Sequence, residues 1–505
     1  MSAHTHSDAA AAMDSFMRNI RSQTFPLCGW DMASAFANIP FTFYFKNPSD
    51  DPAVPFMSSA VLYASFLRAL QEFPILAGHL VINSSGPGFV VVDRDNLNMP
   101  EYAESQSPIH YSFIEAAKFS WDAVPHDVVT VTSTPTRNAS GVIKLANINI
   151  IRLRGNSGLI LFANIPHYVV DGVGYSAFMR RWAEVCMWMQ GGGDEKLPSR
   201  QYDFDRAAIA RALPLDMDDM SPAIKKIYDV RSMFGQLLSW LSPGALGDFL
   251  TAATRMVPTT THTFHITSAA VDTLRECVAG GGECSRRISD NDILCALISH
   301  AVAQGIRADA ERPENNGLWA QTKRAAARFV LGNADEFMSL IAIDIRPRLD
   351  KLKRAQYVGG AITGIPVFYP MSDIAQSEDP AKVLATGSSG IRQMVDGLTG
   401  PFVSRIDHSL NSDPTCHSHA WAQVIVRTRK VTITNQSRFG LYECDFGSGA
   451  PAWISWPPTF VANLAAILPR RANADGYDLY LSVEKQIMTG ILENKLWNDN
   501  TRLLY

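Results

Sequence analysis

The stretch Pro166-His-Tyr-Val-Val-Asp-Gly-Val-Gly174 connects two segments with different hydrophobic patterns. The segment before it, residues 158–165, is a nearly continuous apolar run, which predicts a buried strand. The segment after it places Phe178, Trp182 and Val185 three or four positions apart, which predicts an amphipathic helix. A histidine therefore stands at the exit of a buried strand, and a carboxylate follows four positions later.

His167 is the candidate catalytic base of this stretch, and Asp171 is its candidate partner. An imidazole with a pKa near neutrality is the usual side chain for taking a proton from an attacking hydroxyl. Pro166, Gly172 and Gly174 argue against a helix through the stretch, so the two side chains need not face each other at helical spacing. The pattern alone leaves three interpretations open: Asp171 orients the ring, Asp171 turns away and braces the loop, or the histidine is structural.

Two further clusters carry charge. Asp445-Phe-Gly-Ser-Gly449 is followed by prolines rather than by a helix, so it is not a phosphate-binding loop. It is interpreted as a tight loop in which Asp445 needs a cationic partner, with an ordinary turn as the alternative. The basic run that begins at Arg346-Pro-Arg348 is either a solvated face or the source of an arginine that pairs with a loop carboxylate.

The chain has 505 residues, which is too long for one hydrophobic core, so two domains are expected. Strands and helices are predicted in both halves, and the fold class is therefore α/β or α+β. A crossover segment, residues 191–260, is predicted to connect an N-terminal domain, residues 1–190, to a C-terminal domain, residues 261–505. Its first part is rich in glycine, proline and charge, which is typical of a connection between domains.

Four local predictions complete the outline of secondary structure. Residues 1–24 are predicted to be a frayed lead with one short amphipathic stretch. Short helical pieces are predicted over 223–236 and 245–256 in the crossover segment. Residues 421–434 are predicted to form one long strand, and residues 483–497 the last helix.

Charge and cysteine content narrow the class of protein. The net charge is −4 and the pI is about 6.3, so nucleic acid is not an expected partner. Seven scattered cysteines lack the spacing of a metal site, so free thiols and no bound metal are expected. Apolar runs stay below the ~18 residues of a membrane span and no secretory signal is present, so a cytoplasmic protein is expected. The chain ends at Tyr505 without a standard peroxisomal tripeptide, although a peroxisomal location stays open.

In their order along the chain, these blocks resemble the BAHD-type acyl-CoA-dependent acyltransferases, especially the fungal members of that family. The resemblance rests on His-x-x-x-Asp-Gly at residues 167–172 and on Asp-Phe-Gly-x-Gly at residues 445–449. Phe73-Pro-Ile-Leu-Ala-Gly-His-Leu80 is similar to a family segment that reads "fyPLAGrl". Ser289-Asp-Asn-Asp292 has short acceptor side chains that predict a helix start. This block and Asp344-Ile-Arg-Pro-Arg348 are similar to the family blocks "StNDvLtA" and "vdvRsRl".

The resemblance implies a two-domain enzyme. Family members have two chloramphenicol-acetyltransferase-like domains with a channel between them, and acyl-CoA and the acceptor enter from opposite faces. The implied reaction transfers an acyl group from the CoA thioester to a hydroxyl, with His167 as general base and without an acyl-enzyme. Acyl-CoA is then a co-substrate, and no cofactor is permanently bound. The acceptor is expected to be a secondary metabolite or a glycolipid of the mannosylerythritol lipid type, and the enzyme is expected to be a monomer.

The resemblance also implies roles for residues outside the histidine. The family's first-motif aspartate usually pairs with an arginine, and Arg346 is the first choice of partner for Asp171, with Arg348 second. Thr434 and Gln436 correspond to positions beside the oxyanion of the reaction. The structural residues of the two motifs are Gly172, Asp445, Phe446, Gly447 and Gly449.

Two departures from the family pattern and two alternatives accompany this prediction. Ser448 replaces the family's tryptophan in the second motif, and Gln436 replaces the tryptophan beside the oxyanion, which leaves open which donor stabilises the oxyanion. A condensation domain that takes its acyl group from a carrier protein shares the fold, but it usually has a second histidine where this chain has Pro166. A non-catalytic binding protein with the same fold is the other alternative.

Overall fold

In the computed structural model of the protein, the described residues are 3–33, 37–82, 88–125, 140–192, 196–220, 222–228, 259–280, 288–312, 335–349, 356–377, 379–412, 429–459, 461–472 and 474–505, with Pro135, Arg137, Asn138, Leu352, Val424 and Arg427 between them. The described helices are α1 (Ala3–Asn19), α2 (Gly29–Ala33), α3 (Ser59–Glu72), α4 (Tyr111–Ala116), α5 (Gly172–Gln190), α6 (Ala207–Ala212), α7 (Pro222–Tyr228), α8 (Ser268–Gly280), α9 (Asp290–Glu311), α10 (Met371–Ala375), α11 (Pro380–Asp396), α12 (Gly400–Ser412), α13 (Lys485–Leu492) and α14 (Lys495–Asn500). The described strands are β1 (Gln23–Pro26), β2 (Asn38–Lys46), β3 (His79–Val81), β4 (Phe89–Val92), β5 (Glu101–Gln106), β6 (Asn147–Arg152), β7 (Gly158–Pro166), β8 (Thr259–Ile266), β9 (Glu336–Asp344), β10 (Ile362–Pro370), β11 (Lys430–Asn435), β12 (Trp453–Ser455), β13 (Leu464–Ile467), β14 (Tyr477–Glu484) and β15 (Arg502–Leu503).

Strand β7 is the centre of the first sheet, whose described strands have the order β12-β2-β7-β6-β5. Every residue of β7 is buried, because apolar clusters cover both faces of the sheet. β2 runs antiparallel to β7 along its whole length, from Asn38 opposite Pro166 to Lys46 opposite Gly158. The strand that the apolar run over 158–165 predicts is confirmed, and it delivers the histidine stretch to one end of the sheet.

The second sheet has the order β10-β9-β11-β13-β14-β8-β15 among the described strands. Its core lies between the sheet and a helical layer in which α9 contacts both α11 and α13. α9 begins with a capping box, because the Ser289 side chain accepts from the Asp292 N–H while the Asp292 side chain accepts from the Ser289 N–H. The helix start predicted at Ser289 is therefore confirmed.

Segments of the second half of the chain also complete the first sheet. β12 pairs with β2, with Trp453 opposite Tyr44. Phe446 packs edge-on against Trp182 and Phe45, at ring-centroid distances of 5.0 and 5.7 Å. The mixed α/β fold with two domains is confirmed, while the boundaries after residues 190 and 260 stay predictions.

The prediction that residues 1–24 form a frayed lead is wrong. Residues 3–19 form helix α1, which packs on α3, and a three-stranded sheet of order β1-β4-β3 follows. Phe16 and Ile20 are buried in the core of the first sheet. This tertiary burial stabilises a helix whose sequence has only a weak apolar stripe.

Two predictions in the second half are also wrong in extent. The strand predicted over 421–434 begins only at Lys430, and the described residues Val424 and Arg427 lie outside it. The last helix is two helices, α13 and α14, because Asn494 lies between them and caps the second by accepting from the Trp497 N–H. Of the helices predicted in the crossover segment, α7 covers the start of the first, and the rest lies outside the described residues.

The remaining expectations concern cysteines and membrane spans. The described cysteines form no disulfide: Cys28, Cys186, Cys277, Cys295 and Cys444. Within the described ranges, no helix combines the length and the apolar character that a membrane span requires.

Candidate active site

His167 directly follows the last residue of β7 and faces the space between the two large sheets. Its backbone N–H donates to the Ala37 carbonyl oxygen at 2.9 Å, which fixes the exit of the strand. The imidazole is partly exposed to a cavity of about 220 Å³ whose wall also includes Thr434 and Gln436. One cavity therefore contains the candidate base and both residues that the resemblance places beside the oxyanion.

Burial shapes the acid–base behaviour of His167. It lowers the pKa of the imidazole below its ordinary value, because the charged form loses hydration. The negative charges of Asp171 and Asp31 and a hydrogen bond to the histidine's own backbone carbonyl oppose this shift without reversing it. The neutral ring, which can accept a proton, is therefore the favoured form at neutral pH.

Asp171 is fully buried and is the N-cap of α5. Its Oδ1 accepts from the backbone N–H groups of Val173 and Gly174, each at 3.1 Å. This satisfies two of the amides that a helix start leaves without an intrahelical partner. No helix runs through residues 167–171, as expected, but α5 already begins at Gly172, so both glycines of the motif lie in its first turn.

The second carboxylate oxygen of Asp171 reaches across to the other half of the chain. Oδ2 accepts from the Ala361 N–H at 3.1 Å and lies 2.8 Å from Nη1 of Arg346. No hydrogen bond joins Asp171 to His167, both of which the structure describes in full. The carboxylate therefore fixes the start of α5 against the β9–β10 connection, and this geometry favours a bracing role over an orienting one.

Gly172 and Gly174 are required for space. A Cβ on Gly172 would lie 2.4 Å from the ring of Phe439, and a Cβ on Gly174 would lie 2.3 Å from the carbonyl oxygen of Val358. Neither glycine has a positive φ, so a left-handed backbone is not the reason for them. The first turn of α5 can approach the second half of the chain closely only because both side chains are absent.

Arg346 is the arginine that holds this contact. Its Nη1 also lies 3.0 Å from Asp344, and its Nε and Nη2 donate to two backbone carbonyl groups of the β9–β10 connection. The expected pairing of Arg346 with Asp171 is confirmed. Arg348, the second choice, donates instead to three backbone carbonyl groups elsewhere in the second half.

A second buried ion pair, which the sequence did not predict, flanks the first. Arg206 Nε donates to Asp31 Oδ2 at 3.0 Å, and Asp31 Oδ1 accepts from the Gly360 N–H at 2.9 Å. Arg206 Nη2 also donates to the Val169 carbonyl oxygen at 2.7 Å, inside the histidine stretch. The two ion pairs thus hold residues 357–361 from both sides. No sequence signal links Asp31 to Arg206, because 175 positions separate them.

The expectation that Asp445 needs a cationic partner is wrong for the described residues. Its Oδ1 accepts from the backbone N–H groups of Gly447, Ser448 and Gly449, at 2.7 to 3.0 Å. Both glycines have positive φ, 90° and 98°, which other residues adopt only with strain. Phe446 enters the apolar core of the first sheet, so the motif is a self-capped turn that anchors one aromatic ring.

The wall of the cavity at His167 includes residues that the sequence did not single out. Thr363 on β10 and Trp456 just after β12 line it, together with mainly apolar and small side chains. Trp456 packs edge-on against Phe41 and Tyr480, at ring-centroid distances of 5.9 and 5.7 Å. The sequence signal that could have pointed to Trp456 is its position shortly after the second motif, directly before Pro457 and Pro458.

Arg346 also lines a larger cleft of about 850 Å³, whose wall does not include His167. The arginines of its described lining are already paired with carboxylates, for example Arg180 with Glu443 and Arg200 with Glu184. Across the described residues, no group of three or more His, Cys, Asp or Glu side chains is placed to hold a metal ion. The smaller cavity at His167 is therefore the site with a chemically competent group.

Comparison with known proteins agrees with this geometry. A family model described as the Transferase family matches residues 17–232 and 318–496. The chain belongs to this family. Its relatives are named as acyltransferases and malonyltransferases, so the protein falls in the expected class of transferases for groups other than amino-acyl groups.

Two plant relatives and one solved structure show how far the likeness extends. Phenolic glucoside malonyltransferase 2 of Arabidopsis thaliana is 25% identical over 427 residues, which cover 84% of this chain and 82% of that protein. Putrescine hydroxycinnamoyltransferase 1 of Oryza sativa subsp. japonica is 21% identical over 461 residues, which cover 89% of each. TRI101 of F. graminearum, in complex with coenzyme A and deoxynivalenol, matches with a TM-score of 0.68 at 14% identity, over 96% of this chain and 100% of that one. The fold is that of the BAHD acyltransferases.

In this acyltransferase family, acyl-CoA is the expected co-substrate, and two arginines are candidates for holding its phosphates. Arg438 is exposed and lies between Gln436 and Phe439, which both line the cavity. Arg470 is also exposed, and its guanidinium lies 5.1 Å from the ring centroid of Tyr477. Both positive charges lower the pKa of Tyr477, although burial and Asp290 still raise it to about 12. Among the described residues neither arginine has a carboxylate partner, so both charges are available to an anion.

Proposed function

We propose that the protein transfers an acyl group from the thioester of acyl-CoA to the hydroxyl of a small acceptor, with His167 as general base. The observation that carries this proposal is the environment of His167. It is the only ionisable side chain in the described wall of the cavity, and burial lowers its pKa. Asp171 is committed to the α5 start, to Ala361 and to Arg346, so the imidazole acts without a carboxylate partner.

The proposed reaction has two steps. The imidazole takes the proton of the acceptor hydroxyl as its oxygen attacks the thioester carbonyl carbon, and a tetrahedral oxyanion forms. The oxyanion then collapses, the carbon–sulfur bond breaks, and the departing CoA thiolate takes the proton from the imidazolium. No acyl-enzyme forms, because the acceptor oxygen itself attacks the thioester.

Thr434 and Gln436 are the proposed donors to the oxyanion. Thr434 lies near the end of β11, and Gln436 follows directly after the strand, where its backbone N–H donates to the Ile467 carbonyl oxygen at 2.8 Å. A fixed backbone gives a side-chain donor a fixed starting point, which is what oxyanion stabilisation requires. The amide of Gln436 thus takes the place of the family's indole.

The finer proposals concern the acceptor and the assembly. We infer that the acceptor is a secondary metabolite or a glycolipid of the mannosylerythritol lipid type, as in the fungal branch that the motifs resemble. The predominantly apolar wall of the cavity supports an acceptor with a large apolar part. We also infer that the enzyme acts as a monomer, because one chain supplies His167, Thr434, Gln436 and the groups that hold them. A cytoplasmic location is proposed on the sequence alone.

Transfer from a carrier protein is the weaker candidate. A condensation domain of the CDA synthetase matches the fold with a TM-score of 0.51, against 0.68 for TRI101. The exposed charges of Arg470 and of Arg438, which is adjacent in sequence to the cavity-lining Phe439, are available to the phosphates of free CoA, which favours CoA as the acyl carrier.

Replacement of His167 by alanine tests the proposed base. The kcat of acyl transfer should fall roughly 10²–10⁴-fold, because a positioned general base contributes that much. The measurement is thiol release from acetyl-CoA in the presence of an alcohol, with the thermal unfolding midpoint as a check on folding. His79→Ala is the control, since His79 lies on β3 and bonds only to the Asn96 carbonyl oxygen among the described groups. Turnover of the His167→Ala enzyme within a few-fold of wild type would contradict the assignment.

A further inference from the structure

The described wall of the catalytic cavity carries no charge apart from the titratable His167. Strands of both large sheets contribute to it, and no lysine, arginine, aspartate or glutamate is among the described lining residues. Asp31 and Asp171, the acidic residues whose charges act on His167, are fully buried and engaged by Arg206 and Arg346. A charged acceptor that entered this cavity would therefore find no counter-ion in the described wall.

Three cavity-lining side chains have polar atoms that are buried and not satisfied: Thr363, Trp456 and Gln436, whose Oε1 can only accept. Thr363 is 4% exposed, and its hydroxyl oxygen has no hydrogen-bond partner. The indole Nε1 of Trp456 is likewise buried without a partner. Unsatisfied buried polar groups are rare in folded proteins, and at a ligand site they indicate groups reserved for the ligand. A hydroxyl can donate and accept, whereas an indole N–H only donates, so together they suit neutral oxygen atoms.

Small side chains form the floor of the cavity on the second sheet. Ala342 on β9 lies directly opposite Gly364 on β10, and both line the cavity. Beside them, Thr432 on β11 lies opposite Leu340. A Cβ on Gly364 would come within 3.1 Å of the Leu340 side chain, so the hollow exists because the side chains of this pair are minimal. The depth available to an acceptor is therefore set by Ala342 and Gly364.

We propose that the acceptor of this enzyme is an uncharged, largely apolar alcohol, and that the cavity discriminates against amine cations and carboxylates. Thr363 and Trp456 act as specificity residues that hydrogen-bond a second neutral oxygen of the acceptor, and Ala342 limits how far its apolar part enters. The inference rests on the proposed acyl transfer, whose acceptor it narrows.

Matched trios of acceptors test the charge selectivity. Each trio shares one skeleton and differs in one group: cyclohexylmethanol, cyclohexylmethylamine and cyclohexanecarboxylate form the first, and the corresponding benzyl and decalin compounds form the others. With acetyl-CoA, the alcohols should have kcat/KM values at least about 100-fold above those of their amine and acid counterparts, since neither charged form can be paired in the cavity. An amine or acid that matches or exceeds its alcohol overturns the proposal.

Calorimetric titration of the same trios separates this inference from the proposed reaction. Binding is measured without acyl-CoA, on wild-type protein and on His167→Ala. Tighter binding of the alcohols supports the inference even if no thiol is released, an outcome that would count against the reaction alone. Failure of every alcohol to bind at millimolar concentration overturns the inference even if thiol release from another acceptor supports the reaction.

Two variants test the residues. Thr363→Val keeps the side-chain shape and removes the hydroxyl, so the preference for a diol over its mono-alcohol, expressed as a KM ratio, should fall about tenfold with kcat little changed. Ala342→Leu should raise the KM of the decalin alcohol at least about tenfold and leave that of the smallest alcohol within about threefold. Thr273→Val, which changes an exposed threonine of α8, is the control. Unchanged ratios in both folded variants overturn the residue assignments.

Discussion

The contacts of Asp171 distinguish between its two possible roles, which are to orient the His167 ring or to brace the loop. Its carboxylate accepts from three backbone N–H groups and pairs with Arg346, and none of these contacts involves the His167 ring. We expect Asp171→Asn to lower the free energy of unfolding by about 3 kcal/mol, because it leaves the buried Arg346 charge without its partner. Urea unfolding followed by tryptophan fluorescence measures this loss.

The control for Asp171→Asn is Asp344→Asn. Asp344 pairs with the same guanidinium but is about one-third exposed, so its loss should cost clearly less stability. Turnover per folded molecule should fall far less in Asp171→Asn than in His167→Ala. A stable Asp171→Asn protein with selectively abolished turnover would instead restore the orienting role.

The pH dependence of the reaction follows from the sign of the His167 shift. Burial lowers the pKa of the ring, so the neutral base form persists to lower pH than in an exposed histidine. We expect kcat/KM to be constant around neutral pH and to fall as pH drops, with the midpoint of the acid limb below 6.5. Initial rates of thiol release between pH 4.5 and 8.5, in buffers of constant ionic strength, give the profile. A midpoint above 7 would mean that a nearby negative charge, rather than burial, governs the ring.

At the residue scale, the sequence predicted the residues that lie in a local pattern or in a family motif. His167 at a strand exit, and the pairing of Arg346 with Asp171, came from motifs that keep their spacing along the chain. The Asp31–Arg206 pair and the lining residue Thr363 were missed, because their roles arise from contacts between distant parts of the chain. The prediction of a cationic partner for Asp445 was wrong for another reason. Its partners are backbone N–H groups, which every residue except proline carries, so the sequence does not reveal them.

The first turn of α5 is the element that brings the two halves of the chain together. Alanine normally favours a helix over glycine by about 1 kcal/mol. At Gly174 we expect the opposite, because the added Cβ would lie 2.3 Å from the Val358 carbonyl oxygen. Gly174→Ala should lose about 1–3 kcal/mol of stability, the usual cost of overpacking, and turnover should fall with it because the His167 loop shifts. Chemical denaturation and thiol release provide the two measurements.

The other end of the same helix supplies the control. Gly191 caps α5, and a Cβ there would meet its nearest neighbour at 3.6 Å, an ordinary contact. Gly191→Ala should therefore change stability by no more than about 0.5 kcal/mol. Equal effects at Gly174 and Gly191 would show that helix propensity, and not the close approach to Val358, decides the outcome.

Element by element, the sequence predicted structure best where burial leaves a continuous or periodic pattern. β7 is buried along its whole length and was predicted close to its observed bounds, and the start of α9 was predicted at its capping box. α1 was missed because its stability comes from burying Phe16 and Ile20 in another element's core, which propensity does not report. Helices α11 and α12 were not predicted either, although α11 packs on α9.

At the scale of the molecule, the two halves of the chain exchange structure and do not form two separate bodies. β12 from the second half extends the first sheet, and Phe446 fills its core. In return, Trp30 from the first half packs in one apolar cluster with Phe402 and Ile406 of α12 in the second half. The cavity at His167 lies between these interlocked sheets, so its shape depends on both, and composition alone could predict two domains but not this exchange.

In the proposed reaction, capture of the co-substrate depends on this whole arrangement, since the phosphates of acyl-CoA must be held while its thioester reaches His167. Arg438 and Arg470 come from separate segments that follow β11 and β13, and both are exposed without a carboxylate partner among the described residues. We expect Arg438→Glu with Arg470→Glu to raise the KM for acetyl-CoA at least about tenfold, because two attractive charges become repulsive. The KM should also depend less steeply on salt than in the wild type.

Acetyl-pantetheine, which lacks the nucleotide phosphates, makes this last prediction specific. Its kcat/KM should be nearly the same for the wild type and for the double variant, because the arginines act only on the phosphates. Arg18→Glu with Lys382→Glu changes the net charge equally, at exposed positions of α1 and α11, and should leave the KM for acetyl-CoA unchanged. A tenfold loss with acetyl-pantetheine as well would show that the two arginines support the fold around β11 and β13, and that the phosphates bind elsewhere.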